Sequence, residues 1–163
     1  MAKTKTNVMV GVATLSFKWP IGGSYVEVGY TVDGVDMEYS ADTADVEVEE
    51  ETFPIQRVIT KEGIVIKCNM AESSLVNIDK AMAGSKLFGN TLSVGDGQIK
   101  EMSIRIVGKN PAGFNRTLEV PLATATGSVG MSYRKGTKTV VPVSFAALKS
   151  SSAPAYSIVD STS

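Results

Sequence analysis

The sequence predicts a mainly β domain: a sandwich or barrel of about eight to ten short antiparallel strands with one short α-helix. Apolar and polar residues alternate through most of the chain, and glycine, proline and asparagine interrupt the alternation at short intervals. One segment alone has apolar residues at helical spacing. With 163 residues, the chain is long enough for one domain with a substantial core and short for two.

The first strands are expected on either side of a proline–glycine break. Residues 8–18 contain the apolar residues of a first strand, and residues 19–23 interrupt it with a proline and two glycines. Residues 24–30 alternate again over a short length. Asp33 and Gly34 then form a dipeptide typical of hairpin turns. We therefore expect a turn at that point, followed by a new strand.

The next stretch alternates between acidic and apolar residues. In a strand, successive side chains point to opposite faces, so alternate acids line one face. The acids predicted to form an outward wall on two neighbouring strands are Asp36, Glu38, Asp45, Glu47, Glu49 and Glu51. On pattern alone, a solvated outer face of a sheet is favoured, because that is what most charge runs are.

An apolar segment follows the acids and leads into a strongly predicted strand. Pro54 argues against a central strand, so we expect an exposed turn or excursion at 50–54 and a returning strand at 56–60. Residues 61–63 indicate a second turn. The strand Ile64–Met70 has β-branched residues and a nearly continuous apolar character, which predict burial on both faces.

One helix is predicted directly after this strand. Ser73 and Ser74 provide hydroxyl groups suited to an N-cap, and Gly84 provides a C-terminal stop. The residues at helical spacing, which we expect to pack under the sheet, are Leu75, Ile78 and Met82.

The second half of the chain is predicted to be β with short connections. Residues 87–97 are rich in glycine and indicate a loop with room for a short hairpin. The elements expected after it are a strand at 99–107, a turn at 110–113, a strand at 116–123 and a last hairpin of 126–134 and 139–147.

The domain is expected to comprise residues 1–148, with a basic N-terminal arm at about residues 1–7. Residues 149–163 form a serine-rich C-terminal arm. Both ends carry little apolar surface, so an isolated subunit gains little free energy by ordering them, and we expect them to be mobile alone and to serve assembly. The apolar residues expected at an exposed contact with a neighbouring subunit are Phe53, Pro54 and Ile55.

The sequence lacks the residues on which most catalytic and metal sites depend. It has no histidine, which removes the commonest general base and the commonest transition-metal ligand. Cys68 is the one cysteine, and we expect it to be a small buried hydrophobe. The sequence contains no glycine-rich phosphate loop, dinucleotide fingerprint or complete calcium loop. We therefore predict no enzymatic activity, no catalytic or metal-binding residues and no cofactor.

The sequence also predicts a protein that does not enter a membrane. No apolar run approaches the roughly 20 residues of a membrane span. No long apolar core follows the basic N-terminal residues, so we expect no signal peptide. A lone cysteine fits synthesis in a reducing compartment.

Three linked features of residues 31–83 resemble phage major tail tube proteins. The first is the strand Gly34–Tyr39, which follows a strand with an aromatic residue. The second is an acidic strand with an apolar excursion at Phe53–Ile55 and a returning strand. The third is the apolar strand Ile64–Met70, which runs into the head of the helix at residues 71–78.

The resemblance implies a structural virion protein of a viral tail. Such proteins form hexameric rings stacked into a hollow tube, and each subunit gives about four strands to a continuous inner barrel. About 24 strands at roughly 4.8 Å spacing and about 40° tilt close at a diameter of about 48 Å, which leaves room for duplex DNA. The resemblance also places the acidic wall on the lumen, where it would repel DNA and let it pass into the host without specific binding. The acids expected to line the lumen are Asp36, Glu38, Asp45, Glu47, Glu49 and Glu51.

The resemblance also implies partners and a location. The partners are further copies of the chain and other tail proteins, namely the tape measure, baseplate or tip, terminator and sheath proteins. The tail would be assembled in the host cytoplasm and located in the virion.

Two other interpretations remain open on the sequence. The chain also fits the inner tube of a contractile injection or type VI secretion apparatus, which differs in cargo. From a different class, it fits a monomeric β-sandwich binding module with its acidic face turned to a basic partner. A sizing column separates the classes, because a tube protein forms rings or polymers and a binding module stays near the subunit mass of 17.2 kDa.

Overall fold

The computed structural model describes residues 11–95 and 97–162, and the predicted N-terminal arm lies outside them. The predicted mainly β class with one helix is confirmed over this part of the chain. Its elements, in chain order, are β1 (Thr14–Lys18), β2 (Val26–Glu27), β3 (Thr31–Val46), β4 (Gln56–Met70), α1 (Leu75–Ala81), β5 (Ser85–Phe88), β6 (Thr91–Val94), β7 (Glu101–Lys109), β8 (Asn115–Thr126), β9 (Val141–Ala147) and β10 (Ser157–Asp160).

Most of the strands form one antiparallel sheet that curls around the core. Their order is β2-β1-β7-β8-β9-β4-β3, and β10 pairs with the first part of β8. β5 and β6 form a separate hairpin. The ring centroids of Phe17 on β1 and Phe145 on β9 lie 5.0 Å apart, so distant parts of the sheet meet across the core. Within the described residues, the edge strands β2 and β3 do not pair with each other, and the barrel of the single subunit stays open.

The core follows from alternation along the strands. On β4, Ile64, Ile66, Cys68 and Met70 are buried, whereas Lys67 between them is exposed. The prediction of burial on both faces is therefore wrong for this strand, because the sheet covers only its inner face. The other strand residues of the core are Leu15, Phe17, Met102, Ile104, Ile106, Val120, Ala123, Ala125, Val141, Val143 and Phe145.

The turn predicted at Asp33 and Gly34 is a β-bulge instead. Both residues have positive φ, 62° and 82°, as a hairpin dipeptide requires. They are nevertheless an insertion within β3, since Val32 and Val35 pair with two consecutive residues of β4. The same backbone preference thus serves a bulge here, and the strand continues past it.

The turn predicted at residues 61–63 is also absent, because β4 runs through them without interruption. Thr60 has no partner on β3, since the consecutive residues Asp42 and Thr43 pair with residues on either side of it. The Thr60 hydroxyl donates a hydrogen bond to the carbonyl of Asp42 (3.1 Å). The polar residues that resemble a turn in sequence therefore accompany a one-residue bulge in a long strand.

The helix α1 begins where the sequence predicts. The hydroxyl of Ser74 accepts a hydrogen bond from the backbone N–H of Asn77 (3.3 Å), which caps the first turn. The side-chain amide of Asn77 donates to the carbonyls of Val28 and Glu72, at 3.0 Å each. These bonds tie the helix to the segment between β2 and β3.

The packing of the helix differs from the prediction at one of three residues. Ile78 is buried, and Met82 packs against the core from a partly buried position. Leu75 is 40% exposed. It is the first residue of the helix, whose buried residues are Asn77, Ile78, Asp79 and Ala81.

The C-terminal arm lies on the sheet, which its composition does not predict. β10 pairs with residues 116–119 of β8. The guanidinium of Arg116 donates to both carboxylate oxygens of Asp160, at 2.6 and 2.7 Å. Main-chain pairing and an ion pair hold this segment. The prediction of a mobile end rested on its lack of apolar surface alone.

Of the last predicted hairpin, the strand at 139–147 is present as β9, but the strand at 126–134 is absent beyond Thr126. β8 ends at Thr126 and β9 begins at Val141, so residues 127–140 form a long connection. A single bridge between Arg134 and Thr137 marks the turn within it.

Candidate functional site

The hairpin of β3 and β4 extends beyond the rest of the sheet. β4 pairs with β9 only as far as Val65, opposite Ala146, whereas its pairing with β3 continues to Gln56. The additional nine residues of strand correspond to an overhang of about 30 Å. All residues from 38 to 62 are exposed. We call this segment simply the arm, as distinct from the N-terminal and C-terminal arms.

The arm exposes apolar side chains on both of its faces. Val58 and Ile59 are neighbours in a strand and therefore point to opposite faces, and both are exposed. At the end of the arm, Phe53 is 80% exposed. A two-stranded ribbon is marginally stable in water by itself. A second surface that covers these side chains would therefore stabilise the arm.

The structure separates the acids that the alternation groups into one wall. β3 ends at Val46, so the next three alternating acids lie on the connection to β4 and not on a strand. Asp45 is on β3 but lies an odd number of residues from Asp36, so it projects from the opposite face. The predicted single wall is therefore wrong in its strand geometry. The acids on the connection are Glu47, Glu49 and Glu51.

The structure also places bases beside these acids, which the sequence pattern did not predict. Asp36 lies opposite Lys67, and Asp42 lies opposite Lys61, in the register of β3 and β4. With Glu38, three carboxylates and two ammonium groups thus share one face of the hairpin. Opposite charges on facing strands stabilise the pairing. Lys67 lies on the predicted strand Ile64–Met70, but Lys61 falls in the predicted turn, so the sequence pattern did not relate the two lysines to these acids.

The other face of the arm has ionic and hydrogen-bonded contacts of its own. The guanidinium of Arg57 donates to both carboxylate oxygens of Asp45, at 2.5 and 3.0 Å, and these hydrogen bonds lower the pKa of Asp45. The hydroxyl of Tyr39 donates to Glu62 at 2.7 Å, and this bond raises the pKa of Tyr39. Three acids of β3 thus lie opposite bases, namely Asp36, Asp42 and Asp45. The connection at residues 47–55, which we call the tip, has four glutamates and no lysine or arginine.

The face that carries Asp36 continues over β9 and β8 with small side chains. Lys67 of β4 lies opposite Ser144 of β9, and Val65 lies opposite Ala146. These two residues of β9 in turn lie opposite Thr126 and Thr124 of β8. Four neighbouring strands, β3-β4-β9-β8, therefore present one continuous surface of small and charged residues, which we call the polar face.

A buried ionic cluster lies at the helix end of the core, beside a cleft of about 720 Å³. The ammonium of Lys100 donates to the carboxylate of Asp79 and to the hydroxyl of Ser85 (2.9 Å), and Ser85 donates to Asp79 (2.8 Å). All three residues are buried. These contacts pair the polar groups of all three side chains with one another inside the core. The cluster joins α1, β5 and the chain before β7.

The remaining chemical groups give no sign of a reactive site. Cys68 is buried, and this burial raises the pKa of its thiol to about 12, so the reactive thiolate is scarce. Within residues 11–95 and 97–162, no group of three or more His, Cys, Asp and Glu side chains is arranged to hold a metal ion. In the same part of the chain, no helix is long and apolar enough to cross a bilayer.

Comparison with known proteins identifies the fold. No protein-family model and no curated protein matches the chain. A chain in the tail of an empty gene transfer agent (GTA) particle, computed with helical refinement and C6 symmetry, matches with a TM-score of 0.55 and 13% identity, over 97% of this chain and 99% of that one. A chain in the virion of a native GTA particle gives a TM-score of 0.51 and 14% identity with the same coverage. The resemblance to tail tube proteins is thus confirmed at the level of the fold.

Proposed function

We propose that this chain is the structural subunit of a phage-like tail tube, in which hexameric rings stack into a hollow conduit for DNA. The observation that carries the proposal is the fold, which matches a chain of a tail with C6 symmetry over nearly the whole length of both chains. The arm supports it independently, because an isolated subunit leaves the apolar residues of the arm uncovered. The role is structural and not enzymatic.

The open edge of β3 supports the closure of subunits into a ring. In the described residues, β3 pairs with β4 on one side and has no strand on the other. Such an edge has a row of unpaired N–H and C=O groups that can pair with a neighbouring chain. Four strands from each of six subunits give about 24 strands and a barrel diameter of about 48 Å, which admits duplex DNA.

The polar face is the surface that we assign to the lumen. Its acids are Asp36, Glu38 and Asp42, and with the two lysines on the same face these five residues sum to a charge of −1 per subunit. Lysines that face carboxylates do not collect into a basic track, so DNA would pass without release of its counterions and without specific binding. Asp45 and the glutamates of the tip, by contrast, are assigned to contacts between subunits.

Other tail proteins would be the further partners, and the virion tail would be the location. The ends of a tube must meet a baseplate or tip and a terminator, its lumen a tape measure protein, and its outer surface a sheath where the tail is contractile. The present structure supports these partners only through the proposed tube.

The oligomeric state of the purified chain tests the proposal. Analytical ultracentrifugation and negative-stain microscopy should show hexameric rings or tubes with a central channel. A chain that stays at 17.2 kDa over the whole accessible concentration range would contradict the proposal and favour the binding module.

The proposed subunit contact at the tip consists of Phe53, Pro54 and Ile55. A matched pair of phenylalanine variants tests it. Phe53→Ser should remain folded by circular dichroism and should polymerise less. Phe88→Ser changes a phenylalanine that is 84% exposed on the β5–β6 hairpin, and it should polymerise as the parent does. Equal polymerisation of both variants would remove Phe53 from the contact.

A further inference from the structure

Two exposed connections of opposite charge lie at opposite ends of the polar face. The tip, residues 47–55, has four glutamates and no base. The connection between β8 and β9, residues 127–140, has three bases and no acid, and we call it the basic loop. It leads into Val141, which pairs with Met70 at the end of β4 farthest from the tip. The 15 residues of β4, from Met70 back to Gln56, span about 46 Å.

The basic loop has a recess with its charges around it. Its turn is closed by the bridge between Arg134 and Thr137, and Gly136 takes a positive φ of 81° there. The recess has a volume of about 280 Å³ and is lined in part by Arg134 and Lys138. Tyr133 beside it is 82% exposed. The loop thus offers a concave, positively charged and partly aromatic surface to an incoming segment.

The tip is a convex counterpart to this surface. The backbone N–H of Ile55 donates to the carbonyl of Val46 (2.9 Å), which closes the connection directly after the last residue of β3. Phe53 stands out from it with most of its side chain in solvent. The tip therefore combines an apolar projection with a cluster of negative charges, at the end of an overhang of about 30 Å.

We infer that the tip of one copy of this chain docks on the basic loop of the next copy along the tube, with Phe53 in the recess and the glutamates against the bases of the loop. The inference rests on the proposed function, and it names the contact that joins successive rings. A tip and a loop at opposite ends of one subunit form a head-to-tail contact, which repeats without closing and so produces a stack. Complementary charges also favour this pairing over tip-to-tip and loop-to-loop contacts.

The cleft beside the buried ionic cluster is the competing acceptor at the same end of the subunit. It is larger, but its lining carries the carboxylate of Glu101 as well as Lys86, and its buried Lys100 is already paired with Asp79. An acidic tip would therefore meet a carboxylate and no unpaired buried base there. The basic loop is favoured because all of its charged residues attract the tip.

Reversal of charge at each end tests the contact. Each reversal alone should weaken polymerisation, and the two reversals combined in one chain should restore it. The tip variant is Glu49→Lys/Glu50→Lys/Glu51→Lys, and the loop variant is Arg134→Glu/Lys135→Glu/Lys138→Glu. Each should raise the concentration needed for polymerisation at 0.15 M salt by at least about tenfold, since screening at this salt is incomplete. A chain with both sets of changes keeps the parent's net charge and should polymerise near the parent's concentration. Lys86→Glu, at the competing cleft, should change nothing.

Mixing the two variants gives a second test that depends on correct folding. The basic tip of the tip variant fits the acidic loop of the loop variant, and the acidic tip of the loop variant fits the basic loop of the tip variant. The two variants should therefore co-polymerise in alternation at a concentration at which neither polymerises alone. If the parent forms no polymer, the proposed tube itself fails. If the parent polymerises and both variants polymerise equally well, or if neither the combined chain nor the mixture recovers, the tube stands and the contact inferred here is wrong.

Discussion

The two halves of the β3–β4 hairpin have the same alternating sequence pattern and opposite surroundings. In the inner half, Ile66 is 2% exposed and packs in the core, whereas Ile59 on the same strand is 58% exposed in the arm. The pattern determines which side chains share a face, but the elements that pack on that face determine burial. The comparison shows that the fold uses half of a long hairpin for its own core and leaves the other half exposed.

The largest difference between core and arm should appear for two phenylalanines. Phe145→Ala removes a side chain that is 1% exposed, so the free energy of unfolding of the unassembled subunit should fall by about 3–5 kcal/mol. Phe53→Ala removes one that lies mostly in solvent and should change it by less than about 0.5 kcal/mol. Urea denaturation measures both. A large loss for Phe53→Ala would show that the tip folds onto its own subunit.

Two ion pairs extend the comparison to charge. Lys100→Ala leaves the carboxylate of Asp79 buried without its ammonium partner and should cost about 3–5 kcal/mol of stability. Arg57→Ala removes the partner of Asp45 on the exposed arm, where water replaces it, and should leave the denaturation midpoint unchanged. If both variants unfold at the parent's midpoint, the cluster of Lys100 does not hold the helix to the sheet.

The same strand provides the most closely matched test. Ile66→Ala should lower the free energy of unfolding by about 2–5 kcal/mol, because it opens a cavity in the core. Ile59→Ala should have no resolved effect on the unassembled subunit, but it should weaken polymerisation if the arm is covered in the tube. Equal losses in the unassembled state would mean that the arm packs on the subunit.

The smallest expected effect near neutral pH is that of Cys68, which should appear as a pH dependence only in alkaline solution. Burial raises its thiol pKa to about 12, compared with roughly 8.5 for an unfolded thiol. The folded state therefore holds the thiol proton more tightly, so its contribution to stability is complete below about pH 8.5 and is lost as the pH rises towards 12. Stability should fall less steeply in this window for Cys68→Ala. Iodoacetamide at pH 8 should label the parent only after denaturation, and rapid labelling of the folded chain would contradict the assigned burial.

Much of the inner architecture could be predicted from local pattern. The strand Ile64–Met70, the N-cap at Ser74 and the mainly β class depend on alternation, capping and turn residues, which are all local. The predictions are wrong where the same local backbone preference is compatible with two different structures. Asp33 and Gly34 prefer positive φ, which fits a hairpin turn and a bulge equally, and only the partner strand decides between them.

The candidate site was less predictable because it depends on register and on distant residues. The acids of the hairpin were visible in the sequence, but the lysines opposite them become neighbours only through strand pairing. Lys100 lies 21 residues from Asp79, and no local pattern relates the two. β10 is held by main-chain pairing, which a serine-rich composition does not reveal.

The unpaired Thr60 also gives the hairpin a direction. A bulge of one residue bends its strand and increases the local twist, and this one lies within the overhang, five residues beyond the last pair of β4 with β9 at Val65. A chain without Thr60 would keep every strand pair on both sides of the bulge, because Asp42 and Thr43 already face the residues that flank it. Its tip would nevertheless leave the subunit at another angle. One unpaired residue thus sets the direction of the tip, and in the proposed tube the rotation from each ring to the next would depend on it.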